Sequence, residues 1–151
     1  MKKTLILDVI STLLIILFVY TAVSKLINYN GFVWKLGTSP IVSVSPVLFS
    51  ILIPAAELIT SGLLLTQRYK KWGLYSAFAL MSLFTLYVAY MLLFASRLPC
   101  TCGGIIKMMT WKQHLVFNTI FTILAFIAIK LFRQEQESNT VIKTSEKTIY
   151  A

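Results

Sequence analysis

Charge is scarce in this sequence. Charged residues occupy 13% of 151 positions, where a soluble domain carries about a quarter, so an ordinary water-soluble globular domain is excluded. Cysteine is scarcer still, with Cys100 and Cys102 the only two in the chain. A single pair cannot pass a disulfide internally from one site to another, and its spacing matches no standard zinc pattern. No phosphate-binding glycine motif and no solenoid repeat occurs, which argues against a nucleotide-dependent enzyme and a repeat array. What remains is apolar: hydrophobic residues make up 58% of the chain, and the mean hydropathy is +0.80.

A bilayer core needs roughly 20 consecutive apolar residues per helix. Four runs meet that length, at about residues 6–27, 47–66, 72–95 and 111–132. The expected fold class is therefore an all-α membrane protein, a four-transmembrane-helix bundle over residues 1–133. Helix punctuation supports the boundaries. Ser45 before Pro46 suits an N-cap with proline at the first helical position, and Thr110 with Gln113 has the spacing of a capping box. Tyr29, Phe32, Trp34, Trp72 and Trp111 flank the runs, where amphipathic rings favour the membrane interface. The connection NYNGFVWKLGTSPIVSVSP is expected to lie along the membrane surface. The tail at residues 134–151 is polar, with few large apolar groups to offset ordering entropy, and is expected to be mobile and cytoplasmic.

The net charge of +9 does not point to nucleic acid, because the basic residues lie beside and between the apolar runs rather than on one soluble face. They orient the chain. MKK at the start, QRYKK after the second run, and Lys130 with Arg133 after the fourth fall on one side, which the positive-inside rule makes cytoplasmic. Lys25, Lys35, Arg97, Lys107 and Lys112 form a weaker cluster opposite. Both termini are then inside (N-in/C-in), and the cysteine loop is extracytoplasmic. The basic start, apolar stretch and Ala22-Val23-Ser24 also loosely fit a cleavable signal. Cleavage would leave the loop on the same side.

That loop, RLPCTCGGIIK, poses the chemical question. Two cysteines one residue apart can bring their α-carbons within disulfide range if the chain turns between them. A bond closing so small a ring stabilises little as a staple, while strain and exposure make it easily reduced. Pro99 fixes the approach to the turn, and Gly103-Gly104 leaves room for a partner. Arg97, Lys107, Lys112 and His114 can favour thiolate. Competing readings are inert small residues, or soft-metal ligation by Cys100, Cys102 and His114. A redox pair accounts for more of the pattern, so no metal is assigned.

Polar residues inside the spans form a second constellation. Glu57 sits mid-span, where a charge is costly facing lipid. Ser50, Pro54, Glu57 and Ser61 recur at helical spacing as one stripe expected to face the bundle interior. Thr21 and Lys25 share a face of the first helix. Helical side chains lean toward their own N-termini, so Lys25 and Glu57 on antiparallel helices lean toward each other. A bundle clasp is the plainer reading of that pair, with a proton path or quinone contact as the functional one. His114 and Asn118 lie one turn apart at the start of the fourth run, with Tyr87 and Tyr90 approaching from the third. These four are candidates to edge an aromatic cofactor pocket.

SKLINYNGF after the first span, PAAELITSGLLL in the second, and CTCGG followed by W and H...N at the fourth resemble the methylamine-utilisation MauE group within the DoxX-like membrane protein superfamily. The similarity spans about residues 5–133. It implies that Cys100 and Cys102 are the catalytic redox pair and that the partner is a thioredoxin-like extracytoplasmic protein, serving disulfide formation during maturation of a secreted enzyme. It leaves Lys25, Glu57, His114 and Asn118 as auxiliary residues, the cofactor unknown with quinone possible, and enzymatic status open. The expected function is thiol-disulfide exchange at the membrane. The alternatives are a non-catalytic DoxX-like subunit or scaffold of a quinone-linked oxidoreductase, and a small transporter using Lys25 and Glu57.

Overall fold

The computed structural model describes residues 2–39, 42–94 and 110–149. Five helices follow in order: α1 (Lys2–Ile27), α2 (Tyr29–Gly37), α3 (Pro46–Leu65), α4 (Lys70–Phe94) and α5 (Trp111–Ile149). Among the described residues there is no strand. α1, α3, α4 and most of α5 are each long and apolar enough to cross a membrane. α1 packs on α3 and α5, α3 on α4, and α4 on α5, closing a ring of four helices, while α2 folds against α3.

The faces sort as lipid demands. Leu7, Ile10, Leu14, Phe18 and Ala22 recur every three or four residues along α1 and are buried, whereas Leu5, Ile6, Val9, Leu13, Ile16 and Val19 are 38–67% exposed. In water such an outer surface would drive aggregation; against hydrocarbon it carries no penalty. Leu7, Ile10, Leu14 and Phe18 meet Leu64, Leu74, Ala77, Met81, Ala125, Ala128 and Ile129 in one dry core. Ala77, Ala125 and Ala128 are fully buried, and such small side chains let α4 and α5 approach closely without a hydrophobic drive between them. Thr85 and Thr122 hydroxyls lie 3.0 Å apart across the same seam.

The turn from α3 to α4 is tighter still. A Cβ on Gly73 would fall 2.8 Å from the Leu64 nitrogen and 2.9 Å from the Leu63 carbonyl carbon, so only glycine lets α4 begin this close to the end of α3. Lys70, in the first turn of α4, is buried and pairs with Asp8 of α1 at 2.6 Å. The sequence signals gave Lys70 only an orienting role in the membrane; in the structure it also clasps two helices.

Local chemistry accounts for the helix ends. Thr110 and Gln113 form the expected box, the Thr110 N–H donating to Gln113 Oε1 at 2.8 Å and the Gln113 N–H to Thr110 Oγ1 at 3.4 Å. Ser45 occupies the N-cap of α3 ahead of Pro46, but its side chain makes no capping bond; proline at the first helical position has no N–H, which leaves one fewer unsatisfied donor at the helix start. α5 does not stop near Phe132 but runs on to Ile149, since extending an existing helix adds a backbone bond per residue with no new nucleation cost. The connection after α1 contains a helix of its own, α2, which buries Phe32 and Leu36 and leaves Trp34 exposed.

Candidate functional site

The dry core fills the half of the bundle near Asp8 and Lys70. The other half is hollow. A cavity of about 450 Å³ lies between α1, α2, α3, α4 and the first turns of α5, and its lining includes Phe18, Thr21, Lys25, Phe32, Phe49, Ala56, Glu57, Phe84, Tyr87, Trp111, His114, Phe117 and Asn118. Its wall is mostly apolar and aromatic, with polar groups contributed by all five helices, Lys35 of α2 among them.

Glu57 anchors the polar part. It is 1% exposed, and its Oε1 accepts from Lys25 Nζ at 2.5 Å and from Thr21 Oγ1 at 3.0 Å. The expected approach of Lys25 and Glu57 is thus observed, and it follows from the opposed lean of side chains on two antiparallel helices. Thr21 and Lys25 sit one turn apart on α1, so a single face delivers both donors. Lys25 Nζ also lies 5.4 Å from the centre of the Phe84 ring and 6.0 Å from that of Phe32, close enough for the rings to help solvate the cation in place of water. Ser50, Pro54, Glu57 and Ser61 are all buried, as the stripe on α3 predicts. Ser50 Oγ lies 3.1 Å from the Tyr29 hydroxyl, tying α2 to α3, and Ser61 Oγ donates to the Glu57 carbonyl at 2.9 Å.

Two polar atoms here have no hydrogen-bond partner. Among the described residues, Glu57 Oε2 and His114 Nδ1 are shielded from solvent and unpaired. Native structures satisfy nearly all such groups, and each exception calls for a reason. His114 is half-buried and Asn118 buried, both on the α5 face that lines the cavity. The helical turn that spaces them puts them side by side.

Of the two tyrosines, only Tyr87 belongs to the site. It lines the cavity and donates to Ser39 Oγ at 3.1 Å. Tyr90 does not line it; it is 40% exposed and packs on Phe94, ring centres 5.1 Å apart. Three residues fall about 60° short of a full helical turn, which is enough to move Tyr90 onto the outer face. Thr21 as a second donor to Glu57, and the rings of Phe84 and Trp111, were not singled out as parts of a site by the sequence signals. The spacing of Thr21 and Lys25 was the available clue for the first.

Cys100 and Cys102 lie outside the described residues, as do Arg97 and Lys107. α4 ends at Phe94, and α5 begins at Trp111, which lines the cavity.

Four membrane-length apolar helices around a largely apolar cavity holding a buried ion pair define a multi-pass helical membrane protein. Within that class, the chain belongs to the family described as methylamine utilisation protein MauE, whose model matches residues 3–131. The match covers all four candidate spans up to Leu131 and includes the cysteine loop. No curated protein and no solved structure matches the chain.

Proposed function

We propose that this protein is a membrane thiol-disulfide redox protein in which Cys100 and Cys102 exchange electrons with a thioredoxin-like extracytoplasmic partner. One cysteine thiolate attacks the partner's disulfide, or receives its attack, and the second resolves the mixed disulfide. The chain sits in the bacterial cytoplasmic membrane with both termini inside and the cysteine loop outside, in the wider DoxX-like superfamily. Its client is a secreted enzyme, one of methylamine utilisation on the strength of the family description.

The observation that supports this reading is where the helix that follows the pair in sequence begins: α5 starts with Trp111, His114 and Asn118 in the cavity wall. The reading is tested by trapping. Cys100→Ser or Cys102→Ser, expressed in a membrane with its native periplasmic proteins, accumulates a mixed disulfide visible on non-reducing gels and lost with dithiothreitol. If neither variant traps any protein under oxidising conditions, the relay is wrong.

A second reading is favoured by the ion pair. Lys25 and Glu57 clasp α1 to α3, which suits a non-catalytic subunit of a quinone-linked oxidoreductase. A double serine variant with full client maturation selects that reading instead.

A further inference from the structure

We propose that the cavity between α1, α3, α4 and α5 is a binding site for a lipid-soluble quinone-class ring, held between Glu57 and His114. The assignment of a redox role to this molecule rests on the function proposed above; the binding site itself does not.

The cavity's chemistry narrows the occupant. Its location within membrane-length helices and its mostly apolar wall select a lipid-soluble molecule. Phe32, Phe84, Tyr87, Trp111 and Phe117 line it, and rings of this kind stack on or edge a flat ring in preference to a flexible acyl chain. At the Lys25–Glu57 pair an anionic group is disfavoured, because Lys25 is already neutralised by Glu57 at 2.5 Å.

The unpaired atoms then set the polar pattern. Glu57 Oε2 is an acceptor without a donor, and His114 Nδ1 is a second group without a partner. Both belong to residues in the cavity wall. An ionised carboxylate only accepts, whereas an imidazole nitrogen accepts or donates according to tautomer. A ring bearing two oxygens that are carbonyls in one state and hydroxyls in the other can match such a pair. Oε2 is closed to water in the resting arrangement, so binding requires the carboxylate to turn about its last torsion, which is broad and soft.

The exchange balances. Two thiols of the reduced Cys100/Cys102 pair form one S–S bond and lose two S–H bonds; the quinone gains those two electrons and two protons as a hydroquinone. One ring thus accepts what one disulfide releases.

Tryptophan fluorescence tests this directly. The chain has three tryptophans, and Trp34 and Trp72 are 64% and 66% exposed and lie outside the cavity lining, so a Trp34→Phe/Trp72→Phe parent leaves Trp111 in the wall as the reporter. Decylubiquinone titrated into this full-length parent in nanodiscs quenches Trp111 saturably. Affinity for decylubiquinone falls about tenfold or more in His114→Phe, and affinity for decylubiquinol, whose hydroxyl donates to the carboxylate, falls by as much in Glu57→Gln, the loss expected for one buried hydrogen bond; saturable binding of either form disappears in Ala56→Phe, which fills the cavity without altering a polar group. Quenching that rises linearly in the parent, or that is unchanged in Ala56→Phe, overturns the site. The Cys100→Ser/Cys102→Ser variant binds as the parent does. If it binds, but the prereduced parent fails to convert the quinone to hydroquinone, the relay falls while the binding site stands.

Discussion

Lys25 and Glu57 offer the sharpest test of the bundle's energetics, because their burial is unequal. The Lys25 side chain retains 16% exposure and Glu57 1%. Lys25→Met strips the carboxylate of its cation and leaves it with one hydroxyl donor, from Thr21, on an oxygen whose twin is already unpaired. Removing one partner of a buried pair costs about 3–5 kcal/mol, and this substitution should cost that much. Glu57→Gln should cost less, about 1–3 kcal/mol, because the amide oxygen still accepts and the long lysine stem can carry its ammonium toward water. The double variant removes both charges together. A buried ion pair replaced by uncharged groups is often near neutral, so the double variant should lie within about 2 kcal/mol of the parent and the coupling should be at least about 2 kcal/mol. Equilibrium unfolding in mixed micelles, followed by helical signal as the denaturing detergent rises, measures all four corners. If the two single losses simply add, to within about 0.5 kcal/mol, the pair does not hold α1 to α3.

The turn between α3 and α4 provides an internal control. Gly73→Ala drives a Cβ into the Leu63–Leu64 backbone and should destabilise by about 1–3 kcal/mol; Gly62→Ala meets nothing within 4 Å and should be neutral or gain up to about 1 kcal/mol from helix propensity, both read from the same unfolding curves. Asp8→Ala abandons the buried Lys70 and should cost more than Lys70→Met, which converts the position to an apolar one; equal losses would show the clasp to be incidental. In oriented vesicles, a membrane-impermeant maleimide should label Cys100 and Cys102 of the reduced protein from the extracytoplasmic side only, and labelling confined to the cytoplasmic side would refute the assigned orientation.

The parts of this fold that were legible in the sequence are those for which lipid leaves few solutions. Runs of apolar residues near 20 long have one outcome in a bilayer, a helix that satisfies its own backbone, and the four spans follow. Glu57 was legible for the same reason, since a charge in mid-span must turn inward and carries Ser50, Pro54 and Ser61 with it. The partner of Glu57 followed from helix direction alone. Asp8 with Lys70 was not legible, because nothing local distinguishes a lysine that orients a loop from one that is buried against another helix. Tyr90 was placed beside Tyr87 because residues three apart can share a helix face, but the cavity wall on α4 takes in Tyr87 and Val88 and stops short of Tyr90. The cavity itself has no sequence signature. It is a volume that the side chains of four helices fail to fill, and it is set by how those helices cross.

The division of the bundle into a dry half and a hollow half has a physical logic. Unsatisfied polar groups and empty volume both cost stability, and a chain can carry them at one end only if the other end is packed well enough to offset them. Here Leu14, Leu74, Ala77, Ala125 and Ala128, all at most 1% exposed, fill one end, with the Asp8–Lys70 clasp beside them. Glu57 Oε2 and His114 Nδ1 fall at the opposite end, on two helices that face a common space. Had the unpaired atoms been scattered through the bundle, they would read as packing defects. Their concentration in one chamber, beside the first turns of α5, is what the proposed binding site requires.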